Sequence, residues 1–156
     1  MRKHSKRRAR PVAAPTLVYL HTIPEVEIFI LSAVAAFRDG YATPAQFDVL
    51  LDTRDLLHFG AIGARDEAAR KVAVVLHDVL SEIRATWDGE NFPPISQDTL
   101  NALELLADIS IDFWKRQSGV LYQMAYRKLK SVRKMQMDYQ KDTGKDERNE
   151  DQRGNV

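Results

Sequence analysis

Cysteine is absent from the chain, which excludes a disulfide framework, thiol catalysis and thiolate zinc sites and fits a reducing compartment. Long apolar runs are absent too. The best candidate, Val26 to Ala36, is interrupted by Glu27 and Ser32 and ends at Arg38-Asp39-Gly40, too short to span a bilayer. A secretory leader is not expected, because Pro11, Pro15, His21, Pro24 and Glu25 break up the stretch that follows the basic start. Strand-like alternation, internal repeats and Gly-rich low complexity are also missing. These absences predict a soluble, cytoplasmic, all-α protein with no membrane contact.

What is present is a strongly divided charge. The 156 residues carry 23 Lys and Arg against 22 Asp and Glu, a near-neutral total. Six of the cations, Arg2, Lys3, Lys6, Arg7, Arg8 and Arg10, fall in the first ten residues, leaving 17 against 22 in the rest. Such an arm cannot bury apolar surface, yet it can condense onto phosphates or an acidic protein face. A tail that merely solubilises would have the same composition. Pro11-Val12-Ala13-Ala14-Pro15 then reads as a semi-stiff connector that holds the arm off the body.

Residues 1–15 are therefore expected to be a disordered arm and connector, 16–141 a helical domain, and 142–156 a disordered charged tail, since no apolar residue occurs between Lys141 and Val156. Thr22-Ile23-Pro24-Glu25 reads as a capping box opening helix one, with Val26, Ile30, Ala33, Val34 and Phe37 at helical spacing before Gly40. Thr43-Pro44-Ala45-Gln46 repeats the signal for helix two, whose face carries Phe47, Leu50, Leu51 and Leu57 and whose stop is Gly60. The short connection makes the pair antiparallel.

Helix three is predicted to start between Gly63 and Asp66, with Ala68, Val72, Val75, Leu76, Val79, Ile83 and Trp87 on one stripe. Pro93-Pro94 forces a loop, and Ser96 is an N-cap for a long helix four carrying Leu100, Leu103, Ala107, Ile111, Trp114, Leu121, Ala125, Leu129 and Val132, bent at Ser118-Gly119. The fold expectation is a single-domain antiparallel bundle of about four helices, the first three packed against the first half of the fourth. Both Trp87 and Trp114 are expected in its core.

Motifs for catalysis are weak. Glu104, Asp108 and Asp112, and Asp48, Asp52, Asp55 and His58, make carboxylate ladders, but a di-iron bundle needs Glu-x-x-His on two helices and the chain has none. A solvated face explains the ladders, with Asp112 and Arg116 as an i, i+4 ion pair. The four histidines lack paired metal spacing, and His77 reads as a boundary residue hydrogen-bonded locally. No nucleophile elbow occurs, and Gly60-Ala61-Ile62-Gly63 is neither a dinucleotide fingerprint nor a phosphate loop. No catalytic residue, metal or cofactor is assigned.

Helix four offers more. Phe113, Trp114, Tyr122 and Tyr126 are interleaved with Lys115, Arg116, Arg127, Lys128, Lys130, Arg133 and Lys134, as base stacking and phosphate neutralisation both require. Core packing of Trp114 and the preference of cations for helix C-termini give the same pattern without a ligand.

The opening Met1-Arg2-Lys3-His4-Ser5-Lys6, with Gly40-Tyr41-Ala42-Thr43 and Asp112-Phe113-Trp114-Lys115-Arg116-Gln117-Ser118-Gly119, resembles a group of small uncharacterised helical proteins encoded by phages and prophages of proteobacteria, over about the first 130 residues. The charged stretch after Lys141 departs from that pattern. The resemblance implies a phage or mobile-element setting in a host cytoplasm, and no catalytic residue.

The combined expectation is a non-enzymatic accessory protein that binds nucleic acid or an acidic host protein, through Arg2, Lys3, Lys6, Arg7, Arg8 and Arg10 and through Lys115, Arg116, Arg127, Lys130 and Lys134. A helical interaction or inhibitor module aimed at a host protein is the alternative, and a metal-dependent hydrolase the third. Oligomeric state is open, a homo-oligomer included.

Overall fold

The computed structural model describes the backbone of residues 19–153 and the side chains of residues 25–139. The expected basic arm, and with it Arg2, Lys3, Lys6, Arg7, Arg8 and Arg10, lies outside the described residues. Within them the chain is all-helical and without strands: α1 Tyr19–Arg38, α2 Pro44–Ala64, α3 Glu67–Ala85, α4 Gln97–Lys115 and α5 Gly119–Arg153. Helix α1 begins ahead of the Thr22 signal. Pro24 then forfeits a single intrahelical bond, to residue 20, which is tolerable near an end.

Each connection has a physical cause. At the end of α1, Gly40 takes φ 76° and the Tyr41 N–H donates to the Ala36 carbonyl at 3.0 Å, closing the helix. Helix α2 opens with Pro44 behind the expected Thr43–Gln46 capping box, in which Gln46 accepts the Thr43 N–H on its side-chain oxygen at 2.9 Å. Asp66 caps α3 by accepting the Ala69 N–H at 3.0 Å, and Ser96 caps α4 by accepting the Thr99 N–H at 3.1 Å.

Two boundaries differ from expectation. Gly60 does not stop α2, which runs on to Ala64 and ends at Arg65 in the left-handed region, φ 56°. Gly60 is instead a point of close approach between helices. The long fourth helix is two helices: Arg116 ends α4, and Ser118 restarts the chain as an N-cap, its hydroxyl accepting the Leu121 N–H at 3.3 Å. A cap and a following glycine broke the element that Gly119 alone would have bent.

Helix α2 is the hub, touching α1, α3, α4 and α5. Phe47, Leu50, Leu56, Leu57 and Ala61 are buried along it, and the buried Thr53 satisfies its hydroxyl on the Val49 carbonyl at 2.7 Å. The bundle is therefore organised around α2 rather than around a long last helix. In α3 the buried stripe is Ala69, Ala73, Leu76, Leu80 and Ile83, while Val75, placed by periodicity in the core, is exposed. Trp87 lies beyond the end of α3 and is half-buried, whereas Trp114 is 5% exposed.

Helix α5 runs antiparallel to α2. Leu121 packs on Gly63, Lys128 on Phe59 and Arg133 on Asp52, so positions rise along α5 as they fall along α2. Farther along, Pro44, the first residue of α2, and Tyr139 of α5 line the same groove. Helix α5 itself continues to Arg153, and the side chains of the charged segment 142–156 lie outside the described residues. No helix among the described residues is long and apolar enough to cross a membrane.

Candidate functional site

Ala125 and Leu129 turn one side of α5 toward the core, with Leu121 and Tyr122 partly buried against it. Arg127, Lys130 and Lys134 stand three and four residues apart on the opposite side, all exposed. At 1.5 Å per residue they make a straight cationic stripe about 10 Å long. None of the three has a carboxylate within ion-pair distance among the described residues. Lys130 leans over the Tyr126 ring, 4.9 Å from its centroid. Asp138, one turn past Lys134, closes the stripe.

The other two described candidates do not join it. Lys115 pairs with Glu27 of α1 at 3.3 Å, and Arg116 donates from Nε to the Asp112 carbonyl oxygen at 3.1 Å. Arg116 thus caps the end of α4 instead of pairing with the Asp112 carboxylate. Of the neighbouring cations, Arg133 is held by Asp52 and Lys128 sits over Phe59, 5.5 Å from its centroid.

The aromatic half of the pattern is turned inward. Phe113 and Trp114 are buried, edge to face at 4.9 Å, and Trp114 meets Tyr122 edge to face at 5.0 Å. Tyr126 keeps 43% exposure, but Tyr122 and Lys130 flank its ring. A stacking platform for bases is therefore not displayed by these four residues; interleaving in sequence does not fix which face a ring takes.

Three of the six ladder carboxylates are engaged with cations. Glu104 binds Arg38 at 2.6 Å, Asp52 binds Arg133, and Asp55 binds Arg54 at 2.8 Å. Among the described residues no group of three His, Asp or Glu side chains is disposed to hold a metal ion. Asp55 and Arg54 are 18% and 14% exposed, and burial pushes the Asp55 carboxyl above its ordinary range despite Arg54 and Arg133. His58, beside them, is pushed down by burial and then by Arg54, and its Nδ1 is buried without a hydrogen-bond partner among the described residues. His77 is exposed, with its backbone carbonyl accepting the Ser81 hydroxyl at 2.8 Å.

Periodicity gave no warning of one further cluster. Phe92, from the loop before α4, inserts against Phe37, Phe47 and Trp87 with centroids 5.4, 5.2 and 6.2 Å away, and Arg84 lies over Phe47 and Trp87. The loop is held by Asp88, whose carboxylate accepts the Glu90 and Asn91 N–H groups at 2.9 and 2.7 Å and is thereby stabilised in its charged form. Its signal was the apolar Phe92 between Asn91 and Pro93 in the loop. Comparison with known protein families, curated proteins and solved structures gives no match.

Proposed function

We propose that the chain is a non-enzymatic binding protein of a phage or mobile element whose partner is a nucleic-acid backbone, engaged by the α5 stripe together with the basic arm. The observation that carries this reading is the set Arg127, Lys130 and Lys134, exposed on one line with no carboxylate partner among the described residues. Asp138 stands four residues past Lys134 without coming within ion-pair distance, whereas Arg70 meets Glu67 at i, i+3. With the aromatic rings turned in, the chemistry left to the stripe is phosphate neutralisation rather than base stacking. That favours a duplex read without sequence preference.

The test is a titration against labelled duplex DNA, duplex RNA and single strands at several salt concentrations. Binding should weaken steeply with salt, with a log–log slope near −0.9 per neutralised phosphate on duplex DNA, and should vary little between unrelated sequences. No binding at low salt would remove this reading.

A second reading, a module that docks on a host protein, draws on α1. Ile28, Phe29 and Leu31 are 62%, 63% and 50% exposed within a single turn, an apolar surface the described residues do not cover. Salt-insensitive capture of a purified host protein, lost on replacing Phe29 with Lys, would favour it.

A further inference from the structure

The C-terminal half of α3 and residues 132–139 of α5 face each other across the first turns of α2, leaving a groove of about 960 Å³. Its size is within the range of small-ligand sites, roughly 300–1,000 Å³. Leu51, Leu80, Val132 and Met135 give it an apolar lining, joined by Phe47 and Trp87.

The charged lining groups differ in what they leave free. Arg133 is already neutralised by Asp52. Arg84 has no carboxylate partner among the described residues, and its guanidinium is held over two rings, 5.6 Å from the centroid of Phe47 and 5.2 Å from that of Trp87. Stacking fixes the plane of the fork and leaves its edge donors to bind an anion. Asp48 is also in the lining and would repel a second negative group.

We propose that this groove binds a monoanionic amphiphile, with an elongated apolar body along Leu51, Leu80, Val132 and Met135 and a single carboxylate seated on Arg84. The apolar lining disfavours a polyanion such as a nucleotide, and the one unpartnered guanidinium calls for one head group. The site is separate from the α5 stripe, which lies on the other side of that helix from Val132.

The probe is decanoate, titrated calorimetrically into the full chain, with Trp emission followed in parallel. Saturable one-to-one binding is expected, with an emission change that Trp87→Phe removes. Decanol, with the same body and no charge, should bind at least ten-fold more weakly, and Arg84→Gln should weaken decanoate by a similar factor while circular dichroism shows the fold retained. Met135→Glu changes an exposed position and should abolish binding in a folded chain. Absence of saturable binding overturns the proposal, as does equal affinity for decanol or undiminished binding by either folded variant.

Discussion

Gly60 of α2 lies against the Trp114 indole so closely that a Cβ at Gly60 would fall 2.5 Å from Cη2 of the ring and 2.8 Å from Cε1 of Phe113. That contact seats α4 on the hub helix. Intrinsic propensity says that Gly→Ala within a helix stabilises by up to about 1 kcal/mol. Overpacking says the opposite, and both neighbours are rigid buried rings. Gly60→Ala should therefore destabilise by about 1–3 kcal/mol in a urea melt. A gain in stability would show that the rings move aside.

The same glycine shows what was legible in the sequence. Thr43-Pro44 and Ser96 marked helix starts because a cap is a local arrangement, complete within four residues. Gly60 was ambiguous, since a glycine suits both a helix end and a close packing contact, and the choice depends on a ring more than fifty residues away. The α3 stripe was ambiguous because the run Val72-Ala73-Val74-Val75-Leu76 admits more than one apolar face. Of the candidate cations, the sequence offered Arg127, Lys130 and Lys134 only as members of one interleaved set with Lys115 and Arg116. It had no means of showing that Lys115 would be claimed by Glu27 or that Arg84 would stack on two rings.

The α2–α3 turn has a correctable strain. Arg65 occupies the left-handed position, φ 56°, while the Asp66 N–H reaches back to the Ala61 carbonyl at 2.9 Å. A side chain there costs roughly 1–2 kcal/mol that glycine avoids. Arg65→Gly should raise the melting temperature, after allowance for the unfolded-chain entropy that glycine adds. A lower melting temperature would mean that the Arg65 side chain contributes a stabilising contact.

Trp87 and Trp114 should part company on substitution. Trp114 is core, and Trp114→Ala should cost about 3–5 kcal/mol. Trp87 sits half-buried beyond the end of α3, so Trp87→Ala should cost less, about 1–2 kcal/mol from partial loss of burial. Equal losses in denaturant melts would contradict the difference in their surroundings.

His58 should make stability depend on pH. Burial and Arg54 hold its imidazole below the ordinary value of about 6.5, so below that pH the unfolded chain binds more protons than the folded one. Stability should therefore rise with pH through the window just under 6.5 and be lost as the pH falls. Asp55, pushed up by burial, contributes the opposite slope: stability falls as the pH rises from about 3.8 toward its raised value. Urea melts from about pH 4 to pH 7 should show the His58 slope disappear in His58→Gln while the Asp55 slope remains. A His58→Gln profile parallel to the parent's would assign the dependence to another group.

The α5 stripe and the arm can be separated by their salt dependence. Replacing Arg127, Lys130 and Lys134 together with Gln should reduce the log–log slope on duplex DNA by up to about three contacts' worth, near 2.7. The melting temperature should barely change, because these side chains are exposed and have no ion pair to lose among the described residues. Replacing Arg7, Arg8 and Arg10 with Gln should lower the slope by a similar amount if the arm contributes its own contacts. Arm and stripe should then combine additively in the sextuple variant. A stripe variant with the parent's slope would assign the phosphate contacts to the arm, and an arm variant with the parent's slope would leave them to α5.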